Sequence, residues 1–155
     1  MRILLSTYGS RGDVEPLVGL AVRLRALGAE VRMCAPPDEE FAELLPRVGV
    51  PLVPFGRPWR SWERPSTAEE RTRRVAEFIA AQYDTVAQAA EGCDVLLATA
   101  MSHFVAQSVA EKVAVPHRYA TFAPNVLNDA DAQSWNALFG PPQAVPVQFA
   151  RLVRG

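Results

Sequence analysis

The sequence predicts an α/β fold: a Rossmann-like parallel sheet with helices on both faces. Three observations carry this. Short apolar runs alternate with segments of helical periodicity, the pattern of repeated βαβ units. The runs ILLS (3–6) and VLLAT (95–99) are apolar without alternation, as strands are when both sheet faces are covered. A glycine-bearing turn, Tyr8-Gly9-Ser10-Arg11-Gly12-Asp13, joins the first such run to the first helical segment.

The elements follow in order. Residues 2–7 (RILLST) form the first strand. A helix over about 14–27 places Leu17, Leu20, Ala21, Leu24 and Leu27 on one face, with Pro16 in its first turn and Gly28 as a left-handed cap. Residues 30–35 (EVRMCA) make a second strand, broken by Pro36 and Pro37. Asp38 is placed to cap a helix over about 39–48, and 51–55 make the third strand. Residues 56–66 (GRPWRSWERPS) are irregular. Ser66 or Thr67 then opens a long helix, with Glu69 or Glu70 set for a capping box, and the helix runs to about Ala90 and stops at Gly92. A fourth strand (94–99), a helix (102–113) and a fifth strand (117–122) complete the array. Past Ala123 the pattern decays into a tail punctuated by Pro124, Asn125, Asn128, Gly140, Pro141, Pro142 and Pro146, with a helix starting near Val147. The domain division is therefore 1–125, a Rossmann-like domain, and 126–155, an irregular tail.

Composition excludes several classes. The chain has 155 residues, 49% apolar and 21% charged, with a formal net charge of −1. That is the length of one domain, able to bury roughly 68–70% of its unfolded surface without metal or disulfide staples. A near-neutral balance argues against nucleic acid as a partner. Cys34 and Cys93 lie far apart and beside apolar runs, so they read as small hydrophobes rather than zinc ligands or a dithiol pair. No apolar run approaches the about 18 residues needed to span a bilayer, and no secretory signal precedes the first strand. The expected compartment is the reducing cytoplasm.

In open parallel sheets ligands sit outside the carboxyl ends of the strands, so the strand-to-helix loops are the place to search. Loop 8–13 is not a dinucleotide fingerprint, lacking the G-x-G start and the third glycine, and no Gly-Lys-Ser/Thr makes it a phosphate-binding P-loop. Arg11-Gly12-Asp13 is a coincidental match to an adhesion tripeptide. Asp13 has two readings. It caps the first helix, or it is a general base taking a proton from an acceptor hydroxyl. The roles pull apart, because hydrogen bonds to a carboxylate favour its charged form and weaken it as a base.

Resemblance adds to this. The string Gly9-Ser10-Arg11-Gly12-Asp13-Val14-Glu15-Pro16, followed by Leu17, Leu20 and Ala21, resembles the opening of the GT-B glycosyltransferases. It is most similar to the branch holding the sterol glucosyltransferases and the vancomycin-group glycopeptide glycosyltransferases. The similarity continues at VRMCAPPD (31–38), VGVP (48–51), AAEGCD (89–94), SVAEK (108–112) and VP (115–116), over about the first 125 residues. It implies the N-terminal half of a GT-B fold, the half that binds the acceptor, while a separate C-terminal domain binds the nucleotide-sugar donor. It further implies transfer with inversion in the cleft between them, without an obligatory metal or cofactor. The family's proposed base falls on Asp13, where many relatives carry a histidine three residues before the proline. Ser10 matches a polar position of the active-site loop, and Gly9 and Arg11 flank it on the acceptor side.

Further acceptor-binding candidates follow. Trp59 and Trp62 lie after the third strand, where rings either stack on an aromatic aglycone or simply anchor the loop. His103 follows the fourth strand at the mouth of the sheet, and Asn125 and Asn128 follow the fifth; His117, at the opposite end, is structural. Arg71, Arg73 and Arg74 read as a solvated helix face. No second βαβ array follows residue 125, so the donor-binding domain is absent and the chain alone is expected to be inactive. The expectation is an acceptor domain working with a donor domain or chain. The alternatives are a non-catalytic module binding a hydrophobic small molecule and the acceptor subunit of a split glycosyltransferase. The exposed cleft-facing surface would be covered by a homodimer or a swapped tail.

Overall fold

A computed structural model of the chain describes residues 1–63 and 65–122, the side chains of Met101 and His103 excepted. The elements are β1 (Arg2–Ser6), α1 (Arg11–Ala26), β2 (Glu30–Ala35), α2 (Glu39–Arg47), β3 (Leu52–Pro54), α3 (Ala68–Ala90), β4 (Val95–Ala98), α4 (His103–Val113) and β5 (His117–Tyr119). Short 3₁₀ turns stand at Trp59–Ser61 and Ala100–Ser102. The sheet is wholly parallel, in the order β3-β2-β1-β4-β5. Asn125, Asn128 and the tail 126–155 lie outside the described residues.

The absence of alternation in β1 has a direct cause. Ile3 and Leu5 pack into a layer with Val14, Leu17, Val18 and Ala21 of α1 and Phe41 and Leu45 of α2. Leu4, between them, faces the opposite layer with Phe78 and Val86 of α3 and Val105 and Val109 of α4. Both faces are covered, so both parities must be apolar. Each such leucine, removed fully from water, contributes roughly 1.5–3 kcal/mol.

Helix α1 starts three residues earlier than its apolar pattern suggests. Ser10, extended at φ −76° and ψ −177°, is the N-cap, and Gly12 and Asp13 are already helical. Asp13 is therefore not the cap residue itself but the third residue of the helix, reaching back to Ser10. Pro16 accordingly sits in the second turn rather than the first. Its missing N–H leaves the Gly12 carbonyl without its helical partner, at a position exposed to solvent. At the other end Gly28 adopts φ +87° as expected; its N–H bonds Arg25 O at 2.9 Å and that of Ala29 bonds Leu24 O at 3.1 Å. These two bonds form a Schellman cap, which requires a left-handed residue at Gly28.

The chain builds outward from β1 to β3, then crosses back to place β4 on the other side of β1. The crevice beyond the carboxyl ends of β1 and β4 is the switch point at which such sheets bind ligands. Two loops flank it, 7–10 and 99–102. They are joined by Thr99 N–H to Ser6 O at 2.9 Å and by a hydrogen bond between the Ser6 and Ser102 hydroxyls.

Candidate functional site

Loop 7–10 is the best-defined wall of this crevice. Thr7 N–H bonds Cys34 O at 3.0 Å, extending the β1–β2 pairing by one residue. Tyr8 and Gly9 are buried and Ser10 is exposed. The Asp13 carboxylate, half-buried, accepts from Ser10 N–H at 2.8 Å and from Ser10 Oγ at 3.2 Å. A Cβ on Gly9 would stand 2.6 Å from the Asp13 carboxyl carbon, so this position is glycine because the carboxylate lies over it. Gly9, Ser10 and Asp13 thus form one local unit at the carboxyl end of β1. Arg11 is turned elsewhere. Its Nε donates to Glu15 at 2.7 Å and lies 4.0 Å from Glu40, and the hydrogen bond to Glu15 raises its already high pKa.

The loop after β3 forms a second wall, anchored at two part-buried places besides the exposed Arg60–Glu40 pair at 3.0 Å. Asp38 stands at the N-cap of α2 as expected, yet its carboxylate makes no cap bond. It accepts instead from the N–H groups of Trp59 at 2.6 Å and Arg60 at 3.2 Å. The other anchor is Tyr8, whose hydroxyl donates to Arg57 O at 2.6 Å and accepts from Trp62 Nε1 at 2.7 Å. Trp59 packs against the α3-side core and presents itself edge-on to Tyr8, centroids 6.0 Å apart. Trp62 is more exposed, edge-on to both Tyr8 and Phe78 at 6.3 and 5.8 Å. A cavity of about 260 Å³ opens between Arg57 and Trp62 on the loop and Arg74 and Phe78 on α3. Trp62 borders it.

Arg74 departs from the solvated face read for Arg71, Arg73 and Arg74. Its side chain is three-quarters covered, and its guanidinium pairs with Glu70 at 2.5 Å while also donating to Glu63 O at 3.1 Å. Thr67 caps α3 by accepting from Glu70 N–H at 3.1 Å, and the Glu70 carboxylate accepts from the Ser66 N–H and hydroxyl. Those Ser66 bonds, then Arg74, hold the Glu70 carboxyl down to about 2.

The β4–α4 loop is the third wall. Ala100 takes φ +49°, and Thr99 and Ser102 are buried beside Ser6 and Thr7. His103 is the first residue of α4 at this edge. His117 begins β5 at the amino edge, opposite the crevice. Burial pushes the Cys34 thiol up to about 12, which leaves it a core residue rather than a nucleophile. Among the described residues no group of three or more His, Cys, Asp or Glu side chains is placed to hold a metal, and no helix is long and apolar enough to cross a membrane.

The structure therefore brings Gly9, Ser10 and Asp13 together, and ties Trp59 and Trp62 to the same wall through Tyr8. Sequence reasoning passed over Tyr8 and the loop-holding role of Asp38. For Tyr8 a signal existed: it continues the parity of Leu4 and Ser6 along the β1 direction, which aims it at the α3 layer.

Residues 3–130 match the glycosyltransferase family 28 N-terminal domain. The chain is 53% identical over 131 residues to the glycosyltransferase GtfE of Amycolatopsis orientalis, covering 81% of this chain and 32% of that protein. It is 51% identical over 130 residues to the vancomycin aglycone glucosyltransferase of the same organism, covering 81% of this chain and 31% of that one. The chain thus spans about a third of the length of these relatives. Among solved structures, a calicheamicin glycosyltransferase superposes over 98% of this chain and 40% of its own, with TM-score 0.71 at 17% identity. That likeness is one of fold: a GT-B glycosyltransferase domain.

Proposed function

Because this chain belongs to the glycosyltransferase family 28 N-terminal domain family, we propose that it is the acceptor-binding domain of an inverting enzyme that glycosylates a glycopeptide-type aglycone. The observation that carries the reading is the Asp13 carboxylate, held by Ser10 at the carboxyl end of β1 beside the switch point. Asp13 is the general base. It takes the proton of an acceptor hydroxyl as that oxygen attacks the anomeric carbon of the donor, and the nucleoside diphosphate leaves from the opposite face, inverting the centre. Ser10 holds the carboxylate in one orientation, and Gly9 gives it room. Trp62, His103 and Asn125 serve the acceptor side, Trp62 by offering a ring to an aromatic aglycone.

The donor sugar nucleotide is bound by a second domain or chain, since transfer depends on holding both substrates in one geometry. No metal or cofactor enters the step. The free, buried Cys34 and Cys93 suit a reducing cytoplasm.

The test is a fusion of this chain to the donor domain of the vancomycin aglycone glucosyltransferase, assayed for glucose transfer to vancomycin aglycone. The fusion is expected to turn over, and Asp13→Asn in it to lower kcat by about 10²–10⁴-fold with aglycone affinity retained. Undiminished turnover in Asp13→Asn would remove Asp13 as the base. A correctly folded fusion that binds aglycone and donor without transfer would favour a non-catalytic binding module.

A further inference from the structure

Tyr8 stands where two walls of the crevice meet. Its backbone leads directly into Gly9 and the Asp13 unit. Its ring is wholly buried, tilted against Phe55 and Phe78 at centroid distances of 5.2 and 4.5 Å. The backbone of the following wall lies on that ring: a Cβ on Gly56, which adopts φ +71°, would stand 2.8 Å from Tyr8 Cε2. The hydroxyl is saturated, giving its proton to Arg57 O and accepting from Trp62 Nε1. The phenol is protonated at neutral pH at its ordinary pKa, and burial raises that pKa further.

We propose that Tyr8 is a positioning residue that fixes Trp62 and loop 56–62 against the Asp13 loop, and thereby sets the affinity for rigid, aromatic acceptors. The proposal rests on the acceptor-domain reading. Its physical basis is a division of labour between the two anchors. Asp38 holds the loop by backbone N–H groups alone, at Trp59 and Arg60. Tyr8 holds a backbone carbonyl and also the side chain of Trp62, the ring at the cavity rim. The edge-on contacts with Tyr8 and Phe78 do not by themselves select one indole orientation; the Nε1–H bond does. Without the hydroxyl the indole is free to turn, and a rigid acceptor must order it at the moment of binding.

The experiment uses the 155-residue chain with vancomycin aglycone as the probe. Affinities are measured by calorimetry for wild type, Tyr8→Phe, Trp62→Phe and the double variant. The Trp62 indole N–H resonance is assigned by its loss in Trp62→Phe. Tyr8→Phe is expected to weaken binding about 5- to 20-fold, the scale of losing one or two hydrogen bonds. The double variant is expected to be no weaker than the weaker single one. In Tyr8→Phe the Trp62 indole N–H is expected to move upfield and exchange faster with water. Wild-type affinity in Tyr8→Phe, multiplying losses in the double variant, or an unmoved indole resonance would each overturn the proposal while leaving the acceptor-domain reading intact. A wild-type chain that binds no aglycone overturns that reading and this proposal together.

Discussion

Gly9→Ala is the most informative single perturbation of the Asp13 unit. The new methyl would lie 2.6 Å from the Asp13 carboxyl carbon and 3.0 Å from its Cβ, so the carboxylate must leave its place. It then loses the Ser10 N–H bond at 2.8 Å, worth about 1 kcal/mol as a cap-type interaction. It loses the longer Ser10 Oγ bond at 3.2 Å, and part of its favourable position at the α1 N-terminus, together about another 1 kcal/mol. Restricting the unfolded chain by replacing glycine returns about 0.5 kcal/mol. The net is a destabilisation of about 1.5 kcal/mol, or roughly 3–6 °C in Tm for a domain of this size. Asp13→Ala removes the same bonds and should cost about 2 kcal/mol. The double variant is the decisive comparison. With the carboxylate gone, the added methyl meets only the residue-13 Cβ, which a shift of a few tenths of an ångström relieves. The pair should therefore cost about 1.5 kcal/mol in urea unfolding, the loss from Asp13→Ala less the return from replacing glycine, well short of the roughly 3.5 kcal/mol of simple addition. Additivity within about 0.5 kcal/mol would refute the argument that Gly9 exists to admit the carboxylate.

Other outcomes follow from the same geometry. Asp38→Ala leaves the Trp59 and Arg60 N–H groups without their charged acceptor and should cost about 2–3 kcal/mol, with new proteolytic cleavage confined to 57–62. Glu70, held down to about 2, contributes stability that is complete above its ordinary value of 4.5 and is lost as pH falls from there toward 2. Urea midpoints between pH 2 and 6 should show that loss, and Glu70→Gln should flatten it. Cys34, buried and pushed up to about 12, should resist alkylation at pH 8 in the folded chain and react at once in denaturant. Leu4→Ala, at a wholly buried position facing α3 and α4, should cost about 2–5 kcal/mol by equilibrium unfolding.

Elements whose signals are local are read well from the sequence. β2 spans 30–35 in both readings because Gly28 ends the preceding helix and Pro36 ends the strand. The start of α3 is equally legible, since Thr67 and Glu70 carry the cap within four residues. The start of α1 is not, because Gly12 and Asp13 are turn-forming types; Ser10 taking the extended conformation, with Asp13 folded back on it, makes them helical. Asp38 shows the other limit. Its position before α2 announces a cap, but its partners, Trp59 and Arg60, lie more than twenty residues away, and no local rule finds them. The site divides along the same line. Ser10 and Asp13 are neighbours in sequence and were visible as a unit. The Tyr8–Trp62 bond joins residues 54 apart, and only the folded sheet brings them together.

The most direct test of acceptor binding at the carboxyl edge is an amide-resolved NMR titration of the 155-residue chain with vancomycin aglycone. Shifts are expected in loop 8–13, in loop 56–62 and around 99–104, converging on the Asp13 carboxylate. A titration with no shifts, or with shifts gathered at the amino edge around Leu27, Gly92 and His117, would contradict it.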